Sequence, residues 1–277
     1  MGLRRSIYKS PAQLRAMVEP GLITAAALEA VRALVAPGVT TIELDAAASA
    51  VIRSRGAVSN FQMVRGYRHT VCVSVNEQVV HGIPGERVLE PGDIVSIDAG
   101  AEFKGWNGDS AITIVVPDDS RPDVVAEREE LSRVTEGSLW AGIAALATAK
   151  HLGEVGAAIQ SHIDSAGHGY GILRDYVGHG IGRKMHESPS VFNYRVADLG
   201  PEVRPGLALA IEPMVVIGDQ ETFVEDDDWT VSTVDGTAGS HWEHSVAVHD
   251  DGIWVLTAPD GGAAGLAPFG VTPRAIA

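Results

Sequence analysis

Helical and strand-like stretches succeed one another twice along this chain. Residues 10–35 and 40–55 read as helices. In "SPAQL", Ser10 offers an N-cap and Pro11 takes the first helical position. Pro20 is expected to break or kink that first helix. Thr40 or Thr41 caps the second, which ends at Gly56. Residues 70–80 and 92–116 are rich in β-branched side chains that alternate, so they read as strands. Helices follow at 121–147 and 152–166, then strands at 206–217, 229–234 and 242–256. From Ala258 onward Gly, Ala and Pro dominate, and a loosely ordered tail over 258–277 is expected.

The succession repeats in detail. "PGDIVSID" (91–98) matches "PGLALAIE" (205–212): Pro-Gly, an apolar run, then one carboxylate. His-Gly-Ile precedes each, at 81–83 and 179–181, and an Ala-rich helix ending in glycine lies further upstream, at 44–56 and 152–167. Three elements in one order point to duplication. The expected fold class is therefore α+β, a single domain over 1–257 built from two related halves, about 6–118 and 119–257. A site at their seam would draw carboxylates from both.

Those carboxylates end or open apolar runs. Asp98 closes one strand of "SIDAGAEFKGWNGDSAIT" and Asp109 opens the next. Facing residues of an antiparallel hairpin stand about 4.5–5.5 Å apart, so two carboxylates so placed repel unless a cation lies between them. Glu212 in "LALAIEPM" and Glu243 in "WEHSVAV" are embedded the same way, with no adjacent Arg or Lys. Burying an unpaired charge costs several kcal/mol or more. Two divalent cations would neutralise four carboxylates and leave positions open for water and substrate. Oxygen-rich donors with one imidazole suit Mn, Fe, Co or Zn. A metal pair of this kind can share a hydroxide and polarise a carbonyl. From the residues alone the expectation is a two-metal hydrolase.

"VGHGIGRKMHE" (177–187) supplies two histidines seven positions apart. That separation is about 10 Å along a helix and roughly 23 Å along a strand. His179 and His186 are thus not expected to chelate one ion unless the backbone doubles back. His244, beside Glu243, would face the opposite side of a strand. His151, His162 and His168 lack any carboxylate pattern, and "EDDD" (225–228) lacks EF-hand spacing.

Composition narrows the ligands. The 277 residues carry a formal net charge of −15, so a broad basic surface for nucleic acid or anionic membrane is not expected. Cys72 is the only cysteine, which leaves no intrachain disulfide and fits a reducing compartment. The charged start has no apolar signal core and no run of 18 apolar residues occurs, so the cytoplasm is the expected location.

"VSVNEQVVHGIPG", "GDIVSIDAGAEFKGWNGDSA", "GHGIGRKMHESPSVFNY", "IEPM", "DWTVSTVDG" and "WEHSVAV", taken in order, resemble the methionine aminopeptidases over residues 6–256. Glu212 and Glu243 are only 31 positions apart, and the chain begins almost directly with the catalytic region, as in the short bacterial type I form. The resemblance implies the pseudo-two-fold pita-bread fold, a curved antiparallel sheet covered by helices. It implies two divalent ions on Asp98, Asp109, His179, Glu212 and Glu243, with Asp109 and Glu243 bridging. A metal-activated hydroxide would attack the scissile carbonyl while Glu212 relays the proton. His186 would contact the substrate carbonyl and His81 the scissile amide. Tyr67, Cys72, His81, Met185 and Trp229 would form the methionine pocket. The implied substrates are nascent peptides beginning with Met before a small residue, met by a monomer, with an encounter at the ribosome exit region allowed for. The sequence departs from the family at Met185, commonly Phe; at Ser240-His241, usually Ala-Gln; at Pro20; and over 57–69. A proline-specific peptidase of the same fold, such as prolidase or an aminopeptidase P, is the rival reading. Such enzymes usually carry a further N-terminal domain.

Overall fold

The computed structural model describes residues 6–277; the first five residues of the charged start read for a secretion signal lie outside them. The first half runs α1 (Pro11–Arg32), α2 (Thr41–Ser54), β1 (Val58–Ser59), β2 (Val71–Val75), β3 (Gln78–Val80), β4 (Ile94–Phe103) and β5 (Trp106–Val115). The second opens on α3 (Pro122–Leu146) and α4 (Gly153–Ser165), followed by β6 (Gly171–Ile172), β7 (Gly178–Gly180), β8 (Glu187–Val191), β9 (Ala208–Ile211) and β10 (Met214–Val216). It closes with β11 (Thr222–Val224), β12 (Val231–Thr233), β13 (Gly239–His241), β14 (Glu243–His249), β15 (Gly252–Val255) and α5 (Ala263–Leu266).

Both expected caps form. Ser10 and Gln13 exchange side-chain and backbone hydrogen bonds at the start of α1, while at α2 the Thr40 N–H and hydroxyl both donate to Glu43 Oε2 (2.8 Å each). The principal sheet has the order β1-β4-β5-β14-β9-β7-β8, with β2 also on β4 and β15 also on β14. Its middle is palindromic. β2, β4 and β5 of the first half mirror β7, β9 and β14 of the second across a seam between β5 and β14. The matched segments 91–98 and 205–212 lead into β4 and β9, which occupy equivalent places on either side. α1 packs on β4 and β5 and α3 on β5, β13 and β14, covering the back of the sheet. Ile23, Val31, Ile97, Leu139, Leu209 and Val246, all fully buried, belong to the core between them. No helix among the described residues is long and apolar enough to cross a membrane.

Two expectations are corrected. α1 runs unbroken through Pro20. Pro20 and Gly21 are buried where the helix meets β5: a Cβ on Gly108 would stand 2.7 Å from the Gly21 backbone. Thr24 Oγ1 reaches both the Pro20 carbonyl (3.0 Å) and the Gly108 carbonyl (3.2 Å). Tertiary packing here outweighs the local preference against proline. The second correction is the C-terminal segment, which is docked. Leu266 is fully buried, and Asp260 Oδ1 and Oδ2 accept the N–H groups of Gly262 (2.9 Å) and Ala264 (2.8 Å). Gly261 and Gly265 lie directly on the rings of Trp254 and Trp140, and the Arg274 N–H donates to the Ile253 carbonyl (2.9 Å). The small residues that made the segment look featureless are what lets it seat on two indoles.

A methyl group at Gly108 has nowhere to go. Gly108→Ala is expected to cost about 1–3 kcal/mol as overpacking. At roughly 2–4 °C per kcal/mol for a domain of this order of size, calorimetry should register a lowered Tm with an unchanged far-UV spectrum.

Candidate metal centre

Strand register assembles the site. Asp98 on β4 pairs with Ala111 on β5, and Asp109 pairs with Gly100. The two aspartates therefore do not face each other, as a simple hairpin would have it. They are two residues out of step, which keeps both on one face; a slip of one would have sent them to opposite sides. Across the seam Glu243 pairs with the same Ala111. His244 pairs with Ile211, so Glu212, one residue past β9, comes level with Glu243. His179 on β7 pairs with Ala210. All five side chains thus rise from the front of the sheet, and all five line one cavity. By register Ala111 and Ala210 stand on the same face between these donors. His244 points the other way, against Trp140 and onto Thr257 Oγ1 at 2.8 Å.

No Lys or Arg among the described residues pairs with these carboxylates. Asp98 Oδ1, Asp109 Oδ1 and Glu243 Oε1 are buried with no hydrogen-bond partner. Leaving such groups unsatisfied costs roughly 1–3 kcal/mol each, and more when they are charged. Burial pushes the Asp98 carboxyl up to about 8, and burial with mutual repulsion raises Asp109, Glu212 and Glu243 well above the usual range. His179 is arranged differently. Its Nδ1 lies 3.0 Å from the Gly180 carbonyl, which assigns the proton to Nδ1 and leaves the Nε2 lone pair free. Nε2 stands 3.4 Å from Glu212 Oε1 and 3.9 Å from Asp109 Oδ2. Burial, with His186 nearby, lowers the ring's pKa to about 4, so it is neutral at pH 7 as a ligand must be. One donor atom each from Asp109, His179 and Glu243 lie within 4.8 Å of one another. Orphaned carboxylate oxygens around a free imidazole lone pair fit divalent cations.

The chain does double back between the two histidines. β7 and β8 pair, and the rings of His179 and His186 meet edge to face with centroids 4.4 Å apart. Sequence spacing therefore does not separate them; what does is that, of the two, His179 alone presents a nitrogen within ion-pair reach of the carboxylates. His186 stands on the cavity wall with His81. His81 holds a left-handed backbone (φ 60°) and packs its ring on Tyr176. A non-glycine residue so held costs of order 1–3 kcal/mol, a strain that clusters at functional sites. Burial lowers His81 to about 4 and also lowers His186, leaving both neutral at pH 7.

The cavity, of about 150 Å³, is lined on its apolar side by Phe61, Val64, Tyr67, Cys72, Met185 and Trp229. Tyr67 meets Trp229 at 5.0 Å and Phe61 at 6.2 Å, both edge to face, while its hydroxyl donates to the Val71 carbonyl (2.7 Å). Burial pushes the Cys72 thiol well up, so it is an apolar wall rather than a nucleophile. Phe61 and Val64 escaped sequence reading because they sit in and after a short 3-10 turn without periodicity. His241, two residues before Glu243, stands out in the sequence only as part of the Ser240-His241 departure, with no role attached. His168 contacts Glu130 (3.0 Å) and His162 packs against Gly137, neither at the site. In "EDDD", Asp227 accepts from the N–H groups of Trp229 and Thr230 (2.8 Å each), a turn-forming role.

Comparison with known proteins agrees with this geometry. The model of metallopeptidase family M24 matches residues 15–250. Methionine aminopeptidase 1 of Mycobacterium tuberculosis is 46% identical over 92% of this chain and 96% of its own length. The crystal structure of methionine aminopeptidase from Thermotoga maritima superposes with a TM-score of 0.84 at 38% identity, covering 90% of this chain and 98% of that one. An Xaa-Pro dipeptidase from Bacillus anthracis superposes less closely (TM-score 0.68, 25% identity), with 91% of this chain matching only 62% of that one. The chain belongs to metallopeptidase family M24, among the type I methionine aminopeptidases with their pita-bread fold.

Proposed function

We propose that this protein removes the initiator methionine from nascent polypeptides whose second residue is small, by hydrolysis at a pair of divalent ions. One observation carries the reading: buried, uncompensated carboxylates and a neutral imidazole converge at one end of a pocket walled by aromatics and sulfur. Thioether side chains pack well on such walls. Asp98 and Asp109 from one side of the seam, and His179, Glu212 and Glu243 from the other, would hold the ions. Bound there, Co, Mn, Fe or Zn would supply Lewis acidity and lower the pKa of water.

The protein's own groups do the rest. The pocket admits one side chain and stops, so the substrate's free amino group arrives at the carboxylates and cleavage is confined to the first peptide bond. Glu212 accepts the proton of the attacking water at a carboxylate oxygen and returns it to the departing amine. His186 donates an N–H toward the scissile carbonyl oxygen, where negative charge develops, and His81 hydrogen-bonds the scissile amide. Both rings are neutral near pH 7, so each can donate from one nitrogen. The setting we infer is the cytoplasm, with a monomer acting where chains leave the ribosome.

Metal-loaded protein should release methionine from Met-Ala-Ser and leave Xaa-Pro dipeptides intact; the reverse preference would install the proline-specific reading. Asp109→Asn and Glu212→Gln should each abolish at least 99% of turnover. His179→Ala should weaken Mn binding tenfold or more by calorimetric titration. His186→Ala should keep its metals and lose about 100-fold or more in kcat. Opposite behaviour of the two histidine variants would exchange their roles.

Acidity gives an independent check. Asp98 releases its proton near 3.8 when unfolded but near 8 when buried. The stability contributed by its bound proton is complete below about pH 4 and is lost as pH rises toward 8. The Tm of chelator-treated protein should therefore fall from pH 5 to pH 8, while added Mn should restore more degrees at pH 8 than at pH 5.

A further inference from the structure

Glu212 has two carboxylate oxygens facing different ways. Oε1 is directed at His179 Nε2, 3.4 Å away. Oε2 looks toward His241 Nε2, 3.8 Å away, beyond a formed hydrogen bond but with the two groups opposed. That imidazole is 2% exposed, and its Nε2 is a buried polar atom with no partner. Its backbone is firmly held. The His241 N–H donates to Ser96 Oγ and Thr113 Oγ1 (3.1 Å each), and its carbonyl accepts from Thr113 Oγ1 (2.7 Å). β13 also pairs His241 with Met214, two residues beyond Glu212. A buried nitrogen without a partner, on a pinned strand, pointing at one oxygen of a carboxylate, has one obvious use.

We propose that His241 is a positioning residue for Glu212: its Nε2–H holds Oε2, so that Oε1 is kept toward His179 and the reacting water. Closing the gap from 3.8 Å to about 3 Å needs a shift of under 1 Å, within the reach of side-chain torsions once the carboxylate is engaged. The hydrogen bond satisfies His241 and removes one of the two orientations open to the Glu212 carboxylate. An outer partner of this sort typically contributes 10–100-fold to metal affinity or activity. The inference rests on the role proposed above for Glu212, and the controls separate the two.

The test compares His241→Leu, which fills the space without a donor, with His241→Gln, whose amide N–H reaches similarly far. Each full-length protein is titrated calorimetrically with MnCl2, assayed on Met-Ala-Ser and melted. His241→Leu should lose 10–100-fold in kcat or in Mn affinity with KM changed less than about threefold. His241→Gln should recover to within about threefold of the parent on both readouts. Equal losses in the two variants, or none in His241→Leu, would overturn the proposal. So would losses that only track Tm, since a packing role requires no donor. An inactive parent protein would instead overturn the reading of Glu212 itself.

Discussion

Like-charge repulsion on one face of a sheet is the constraint that the site depends on. Four carboxylates rise side by side from β4, β5, β14 and the end of β9, Asp109 and Glu243 buried and Asp98 and Glu212 nearly so, and none pairs with Lys or Arg among the described residues. A fold tolerates that only if register places them with little freedom and something of opposite charge is supplied. Backbone geometry meets the first condition: the pairings of Ala111 with both Asp98 and Glu243 fix the row. Beside the row lies the apolar part of the same cavity, where Tyr67, Cys72 and Phe61 lower the polarity around the charges.

The same constraint explains why so much was legible in the sequence. A carboxylate closing a run such as "LALAIE" is costly to bury and cheap to notice, so Asp98, Asp109, Glu212 and Glu243 stood out before any fold was known. The Pro-Gly repeat announced two halves because each half needs the same turn to launch a strand toward the seam. What stayed hidden depended on contacts between distant segments. Pro20 read as a break because its burial against Gly108 is not written locally. The C-terminal segment read as featureless because its glycines matter only where Trp140 and Trp254 lie beneath them. The closeness of His179 and His186 stayed hidden because a strand pair returns the chain on itself, bringing together rings that either regular geometry would keep apart. Phe61 and Val64 belong to an irregular stretch whose only message is the cavity it closes.

The pseudo-symmetric seam has a consequence of its own. Two identical subunits meeting on a two-fold axis would be obliged to offer duplicate donors, oxygen for oxygen. Here the halves are segments of one chain, and the obligation lapses. The first contributes two short aspartates; the second contributes two longer glutamates and an imidazole. Shorter arms on one bank and longer arms on the other make the basin lopsided, so a substrate entering it meets a left side and a right side. Covalent linkage has turned a symmetric scaffold into a site with a direction, and a peptide, which also has a direction, can be bound by such a site in only one sense.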